Sequence, residues 1–170
     1  MPKKPRRPLE PGPPPRQRPL LDAVDAVLVR ELTVDARLSN AALAQRAGIA
    51  ESTCSARVRS LVRRGVIRGF TTVLDPAGLG APVRAMVAVR LSGHDMAQVD
   101  AFGEQVSQLP GVLEVWNVSG ADDFVVQIAC GSPDELRDFV LTHLSSRSGV
   151  VHVQTSLIFR SHRGRGVPIG

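Results

Sequence analysis

Between Glu51 and Arg68 the chain sets hydroxyl and guanidinium groups at a spacing that suits contact with a polyanion. Five arginines lie in this segment against a single carboxylate: Arg57, Arg59, Arg63, Arg64 and Arg68. Hydroxyls can exchange hydrogen bonds with base edges, and guanidinium groups can hold phosphates or guanine edges. An ordinary solvated helix can also carry serine, threonine and arginine, but this excess of cations favours a nucleic-acid-binding face.

A helix over this segment would separate a buried stripe from a polar face. Cys54, Val58, Leu61 and Val62 recur at helical spacing, which predicts that they are buried. In a helix-turn-helix the second helix enters the major groove of duplex DNA and its first turns meet the base edges. The polar and flanking positions are therefore the candidate DNA contacts: Ser52, Thr53, Ser55, Arg57, Arg59, Ser60 and Arg63.

Residue types that serve catalysis or metal binding are scattered. Asp122 and Asp123 are adjacent, so a strand would point them to opposite faces, which is poor geometry for an acid/base couple. Cys54 and Cys130 stand in unrelated segments and are expected to be reduced thiols of a cytoplasmic protein. The histidines lack metal-ligand spacing: His94, His143, His152 and His162. We therefore expect no catalytic residue, no metal and no cofactor, and an enzyme with an appended helix-turn-helix is the weakest alternative.

Charge is distributed unevenly along the chain. Residues 1–19 hold six cations, one glutamate and eight prolines, and this composition predicts a disordered basic arm. The arm either adds loose phosphate attraction or is a solvated tail without a role. Residues 20–70 hold eight arginines against five acids, whereas residues 81–158 hold four arginines against nine acids. This pattern indicates a polyanion-binding domain followed by a domain that does not touch polyanions.

Hydrophobic spacing predicts two domains. Leu21, Val24, Leu28 and Leu32 indicate a first helix, and a second runs from an N-cap at Ser39 to a stop at Gly48. Gly65 ends the third helix, and the β-branched residues 66–73 predict a wing strand. We therefore expect a winged helix-turn-helix over residues 20–73 and, because breakers crowd the next stretch, a hinge over residues 74–82.

The rest of the chain alternates strand and helix patterns in the order β-α-β-β-α-β. This order predicts an α+β ferredoxin-like domain over residues 83–160, followed by a flexible tail over residues 161–170. RNA-recognition modules share the order, but they stack bases on exposed aromatics of a basic sheet. This domain has no tyrosine and an excess of acids, so we exclude that interpretation.

The predicted strands are apolar on both faces, whereas this fold covers one face of its sheet with helices. Ala88 follows Val87, Val125 precedes Val126, and Trp116 faces away from Val115. A second copy of the chain is the expected cover for the open face. We therefore predict a homodimer, which can assemble further to a tetramer or octamer.

The motifs together closely resemble the family of the leucine-responsive regulatory protein and AsnC over about residues 20–160. They are Leu21-Asp22-x-x-Asp25, Asp35-Ala36-Arg37-Leu38-Ser39, Leu43-Ala44, Gly48-Ile49, Cys54-x-x-Arg57-Val58-x-x-Leu61, Gly65-Val66-Ile67-x-Gly69-Phe70, Asp75-Pro76-x-x-Leu79-Gly80 and Val118-Ser119-Gly120-x-x-Asp123-Phe124. The resemblance implies a winged helix-turn-helix that reads double-stranded DNA and an effector-binding domain of the RAM or ACT-like type. It also implies transcription regulation by an amino acid or similar small molecule.

Effector residues are carried over from this resemblance. Ser119, Gly120 and Asp123 match the turn where family members bind the effector near a subunit interface, and Thr155 matches a last-strand threonine near that pocket. Gly120 and Asp123 are also suited simply to shaping a turn. Val62, Ala121 and Val153 depart from the family pattern, which leaves the effector open. A DNA-organising protein that senses nothing therefore remains an alternative.

Overall fold

The computed structural model describes residues 21–93, 95–162 and 164, and the chain divides into two compact units between Thr71 and Thr72. The sequence placed the end of the first domain at residue 73 and a hinge over residues 74–82, and these limits stay predictions. The basic arm predicted for residues 1–19 and most of the tail predicted for residues 161–170 lie outside the described residues.

Three helices build the first unit: α1 (Ala23–Val34), α2 (Asn40–Ala47) and α3 (Glu51–Arg63). The Asp22 carboxylate caps α1 and the Ser39 hydroxyl caps α2, because each accepts the backbone N–H three residues further on. Gly48 and Gly65 follow α2 and α3 with φ of 66° and 70°. The predicted cap at Ser39 and both predicted glycine stops are confirmed.

The core of this unit joins all three helices through a small set of buried side chains: Leu28, Leu43, Ala44, Cys54 and Leu61. Val58 packs against this cluster as a half-buried residue. The prediction that Val62 is buried was wrong, since Val62 is 42% exposed. Val62 lies about 100° around α3 from Leu61, beyond the edge of the face that meets α1 and α2.

The wing strand predicted for residues 66–73 was also wrong for the single chain. Val66 and Ile67 pack on the helical core, but no residue of this segment is in a strand, and Phe70 and Val73 are exposed. A strand forms only where a neighbouring strand pairs its backbone groups. The described residues of the first unit contain no strand that could pair with this segment, so β-branched composition alone does not produce a strand here.

The second unit follows the predicted β-α-β-β-α-β order, which confirms the ferredoxin-like α+β fold. Its elements are β1 (Val83–Leu91), α4 (Met96–Ser107), β2 (Val112–Asn117), β3 (Phe124–Cys130), α5 (Pro133–Phe139) and β4 (Val150–Leu157). Their strands form one antiparallel sheet in the order β2-β3-β1-β4. A short 3-10 turn (Ala77–Leu79) precedes β1, and a π-helical stretch (Val140–Ser145) continues α5.

The helices pack on one face of this sheet and leave the other face open. Val87 and Val126 are fully buried among helix residues such as Phe102 and Leu144. Ala88 pairs with Val125 across the β1–β3 ladder, so both lie on the opposite face. The open face has a half-buried apolar centre: Met86, Ala88, Trp116 and Val125.

Among the described residues, no helix combines the length and apolarity that crossing a bilayer requires.

Candidate DNA-binding surface and effector site

One side of α3 presents unpaired polar and cationic groups. Arg59 and Arg63 are exposed, and neither makes an ion pair with any described residue. Ser52 and Thr53 are exposed in the first turn of the helix, and Ser60 is half-buried. Ser52, Arg59 and Arg63 share one face because their positions differ by seven and four residues. The predicted hydroxyls and these two arginines are therefore brought together on one exposed surface.

Most carboxylates of the first unit form ion pairs with arginines other than Arg59 and Arg63. Glu31 pairs with Arg46 at 2.5 Å, and Asp22 and Asp25 pair with arginines of α3 and its C-cap. These pairs leave Arg59 and Arg63 without a neutralising partner in the described part of the chain. Unneutralised cations on an exposed helix attract a polyanion, and salt screens that attraction.

Two of the predicted DNA contacts already have partners within the protein. Arg57 Nη1 donates to Asp22 Oδ2 at 2.6 Å and to Asp25 Oδ1 at 2.9 Å. The Ser55 hydroxyl donates to Asn40 Oδ1 at 2.9 Å, at the N-terminus of α2. The structure therefore places Arg57 on a flank of α3 away from its exposed face, whereas Ser55 lies at the edge of that face, about 40° around the helix from Arg59.

Sequence reasoning missed these partners. Asp22 and Asp25 stand at the N-terminus of α1, where the helix dipole alone favours carboxylates, and nothing in the sequence singles out Asn40. The partners lie 15 to 39 residues away in the chain, so no helical period relates them. The sequence did contain one signal for the ion pairs. Two acids, Asp22 and Asp25, share a face at the start of α1, and two arginines seven residues apart, Arg57 and Arg64, share a face of α3 and its C-cap.

The ion cluster shifts the protonation of its members. The backbone N–H of Asp25, followed by the Arg57 guanidinium, lowers the pKa of the Asp22 carboxyl below its ordinary value of 3.8. The pKa of Arg57 is raised, first by Asp22 and then by Asp25. Both groups are therefore charged throughout the neutral range.

Acidification is expected to weaken the first unit through Asp22. A carboxyl whose pKa is lowered by folding contributes stability in full above its ordinary value of 3.8 and loses it as the pH falls through the folded value. Asp22→Asn keeps a capping oxygen but removes the charge. The variant should be less stable than wild type at neutral pH, and the difference should vanish well below pH 3.8 in thermal unfolding. An unchanged difference at low pH would contradict the role of the charge.

The predicted effector turn is held at one end of the sheet. Asp123 Oδ2 accepts the backbone N–H of Leu91 at 2.7 Å, and the Asp123 carbonyl accepts the side-chain amide of Asn117 at 2.9 Å. Gly120 has φ 134°, a conformation that residues with a side chain rarely adopt. Asp123 and Gly120 therefore shape this turn, whatever else they bind.

The turn still offers donors. Within the part of the chain that the structure describes, the backbone N–H groups of Ser119, Gly120 and Ala121 have no acceptor. All three residues are exposed. Successive free N–H groups can hold a carboxylate or another small anion.

Thr155 does not join the turn within one chain. Thr155 lies on β4 and pairs with Val87 of β1, whereas Asp123 precedes β3, which lies on the other side of β1. Strands β3 and β4 are separated by two strand spacings, about 10 Å in total. Three surface grooves of about 270, 300 and 380 Å³ were found, and none is lined by Ser119, Gly120, Asp123 or Thr155.

Groups that could support catalysis or metal binding are few. No cluster of three or more histidine, cysteine, aspartate or glutamate side chains able to hold a metal occurs among the described residues, and His94 lies outside them. Both cysteines are unpaired, and burial raises the pKa of each thiol. A raised pKa keeps a thiol protonated and therefore weakly nucleophilic.

Comparison with known proteins agrees with both units. Residues 21–68 match the winged helix-turn-helix DNA-binding family, and residues 84–167 match the Lrp/AsnC ligand binding domain. A helix-turn-helix with an unpaired basic face, followed by a ferredoxin-like ligand-binding domain, defines a DNA-binding transcriptional regulator. The chain belongs to the Lrp/AsnC family of such regulators.

Two named relatives are described as regulatory proteins. The HTH-type transcriptional regulator AldR of Mycobacterium tuberculosis is 43% identical over 144 residues, which span 85% of this chain and 80% of that protein. The leucine-responsive regulatory protein of Rhizobium meliloti is 38% identical over 140 residues, which span 82% of this chain and 90% of that protein.

Solved structures agree with the fold. The crystal structure of MtbAldR aligns with a TM-score of 0.69 at 38% identity and covers 87% of this chain and all of that one. A transcriptional regulator of Neisseria meningitidis, solved as a complex with L-Met, aligns with a TM-score of 0.78 at 26% identity. That alignment covers 85% of this chain and 94% of the other.

Proposed function

We propose that the exposed face of α3 reads the major groove of double-stranded DNA. The observation that carries this proposal is the pair of exposed arginines, Arg59 and Arg63, which lack a partner among the described residues and share a face with Ser52. Hydroxyls in the first turn of a recognition helix suit base edges, and arginines further along suit guanine edges and phosphates. In this proposal Ser52, Thr53 and Arg59 contact bases and Arg63 contacts the backbone.

The second unit assembles the regulator as a homodimer in this proposal. The apolar centre of its open face suits the same face of a second copy, since a two-fold interface joins identical patches. Charged and polar residues surround that centre at the sheet edges, as Glu114 on β2 and His152 on β4 do. A dimer presents two copies of α3 to two half-sites, with tetramers or octamers as further assemblies.

The effector is an amino acid or a similar small molecule in this proposal. The free N–H groups at Ser119 and Gly120 suit a carboxylate, and the related Neisseria meningitidis regulator was solved with L-Met. Because Thr155 lies away from this turn within one chain, a site that uses both is completed across a subunit interface. The protein acts in the cytoplasm, where its DNA is, and catalyses no reaction.

Salt dependence tests the DNA contact. Log affinity for duplex DNA should fall linearly with log salt concentration, and Arg63→Ala should reduce that slope by about 0.9 for each phosphate that the variant no longer binds. Fluorescence anisotropy of a labelled duplex, selected by the wild-type protein from a random-sequence pool, measures the slope. Arg137→Ala, on α5 of the second unit, removes the same charge and should leave the slope unchanged. Equal slopes for wild type and Arg63→Ala would refute the phosphate contact.

A panel of amino acids tests the effector. A true ligand at 100 times its dissociation constant should stabilise the protein by about 2.7 kcal/mol, which thermal unfolding detects. Thr155→Val removes only the exposed hydroxyl and should reduce that shift, whereas Thr142→Val, exposed in the π-helical stretch, should not. No shift with any amino acid, together with intact DNA binding, would favour a DNA-organising role without an effector.

A further inference from the structure

A buried carboxylate links α1 to α3. Asp25 is 4% exposed and is the one buried charged residue among those that the structure describes. Its Oδ1 accepts from Arg57 Nη1 and its Oδ2 accepts from Arg64 Nη1, both at 2.9 Å. Asp22 joins the cluster through Arg57 at 2.6 Å and through the backbone N–H of Asp25 at 2.7 Å. Both oxygens of the buried carboxylate are therefore satisfied, one by Arg57 of α3 and the other by Arg64, the C-cap residue of that helix.

The two arginines hold one side of α3. Arg57 and Arg64 are seven residues apart, so their side chains leave the helix in nearly the same direction, two turns apart. Arg59 and Arg63 leave the helix at least about 100° away from Arg57 and Arg64. One pair of arginines therefore faces the protein while the other pair faces outward.

A second polar contact holds the other side of the helix. Ser55 donates to Asn40 Oδ1 at 2.9 Å, and Asn40 Nδ2 donates to the backbone carbonyl of Glu51 at 3.0 Å. The apolar contacts of Cys54 and Leu61 fix the depth of α3, but apolar packing is not directional. Charged hydrogen bonds on one flank and a hydrogen bond on the other restrict rotation of α3 about its own axis.

We propose that the cluster of Asp22, Asp25, Arg57 and Arg64 sets the rotation of α3, and that Arg57 is a positioning residue and not a DNA contact. The proposal rests on the proposed function of the exposed face of α3. It replaces the sequence-based assignment of Arg57 to the DNA-contacting set. Ser55 has the same positioning role through Asn40.

The proposal predicts a change in DNA affinity opposite in sign to the change that net charge alone would cause. Removing a carboxylate beside the recognition helix makes the unit more positive, and general electrostatics would then strengthen binding to a polyanion. A positioning cluster requires the opposite, because the freed helix no longer aligns Arg59 with base edges. Asp25→Asn and Asp22→Asn should each bind the selected duplex more weakly, by about tenfold or more when the helix no longer reads one base pair.

The experiment measures affinity at fixed salt for these variants and a matched control. Asp35→Asn removes one carboxylate of the same unit from the exposed C-cap of α1, which makes no ion pair with a described residue, and should bind at least as tightly as wild type. Asp22 is half exposed and asparagine also caps helices, so Asp22→Asn is expected to fold even where Asp25→Asn does not. Binding by Asp22→Asn as tight as that of Asp35→Asn would overturn the proposal.

Salt slopes separate positioning from contact. Arg57→Gln should weaken binding to the selected duplex while keeping the wild-type slope, whereas the slope of Arg63→Ala should be smaller by about 0.9 per phosphate. A slope reduced in Arg57→Gln as it is in Arg63→Ala would assign Arg57 to the DNA and overturn the proposal. If Arg59→Ala and Arg63→Ala both bind like wild type, the proposed function fails and the positioning role fails with it. If Arg57→Gln has a reduced salt slope while Arg59→Ala and Arg63→Ala weaken binding as expected, the positioning role fails and the proposed function stands.

Discussion

Ala88→Glu is expected to convert the protein into a monomer that binds its DNA poorly. Ala88 lies at the centre of the open sheet face, paired with Val125 on β3 and with Gln154 on β4. In a two-fold interface each glutamate would be buried against the partner's apolar centre, at a cost of about 3–5 kcal/mol for each uncompensated charge. The monomer itself should fold, because the substituted side chain points away from the helices.

Sedimentation or light scattering at a fixed protein concentration measures this effect. Ala97→Glu is the matched control, since Ala97 is exposed in the first turn of α4, where a carboxylate is well tolerated. The control should remain in the wild-type state of assembly and retain DNA binding. A dimeric Ala88→Glu protein would show that this face does not form the subunit interface.

Arg59→Ala is expected to cause the largest loss of DNA affinity among the single substitutions on α3. The arginine is exposed near the middle of the helix and has no partner among the described residues, so nothing in the folded chain competes for it. One specific base contact contributes about 1–3 kcal/mol, and a dimer loses it at both half-sites. Sequence preference should also relax at the base pair that Arg59 reads.

The comparison that checks this prediction uses two duplexes, one selected by the wild-type protein and one of scrambled sequence. Arg59→Ala should lose more affinity for the selected duplex than for the scrambled one, whereas Arg63→Ala should weaken both alike. Arg137→Ala serves as the charge control. If Arg59→Ala retained wild-type affinity and preference, the assignment of this face would be refuted.

Much of the fold could be predicted from the sequence because local chemistry determines it. A cap at Ser39, stops at Gly48 and Gly65, and the capped, proline-led start of α5 at Ser132 depend on neighbours within a few residues. Alternation of strand and helix patterns was enough to give the order of the second unit. The strand predicted for residues 66–73 failed for the opposite reason, since a strand depends on a partner that this segment does not contain, whereas the winged helix-turn-helix class itself is confirmed by the family match.

The candidate site was predictable in part. Exposure of Arg59 and Arg63 followed from the helical period, because their positions lie opposite the stripe of Cys54 and Leu61. The partners of Arg57 could not be read from the period, because a contact between α1 and α3 depends on how the helices cross. For the same reason the sequence did not show that the Asp123 carboxylate accepts a hydrogen bond from the backbone N–H of Leu91.

Site-directed crosslinking tests the central claim most directly. Ala56 is exposed on the same face as Arg59, and an Ala56→Cys variant can carry a photoactivatable crosslinker, because the buried native Cys54 and half-buried Cys130 react slowly. The claim predicts crosslinks to bases at two positions about one helical turn of DNA apart, one for each subunit. The same label on Asp100→Cys, exposed on α4, should give none. Equal crosslinking from both positions, or none from Ala56→Cys in a complex that still forms, would contradict insertion of α3 into the groove.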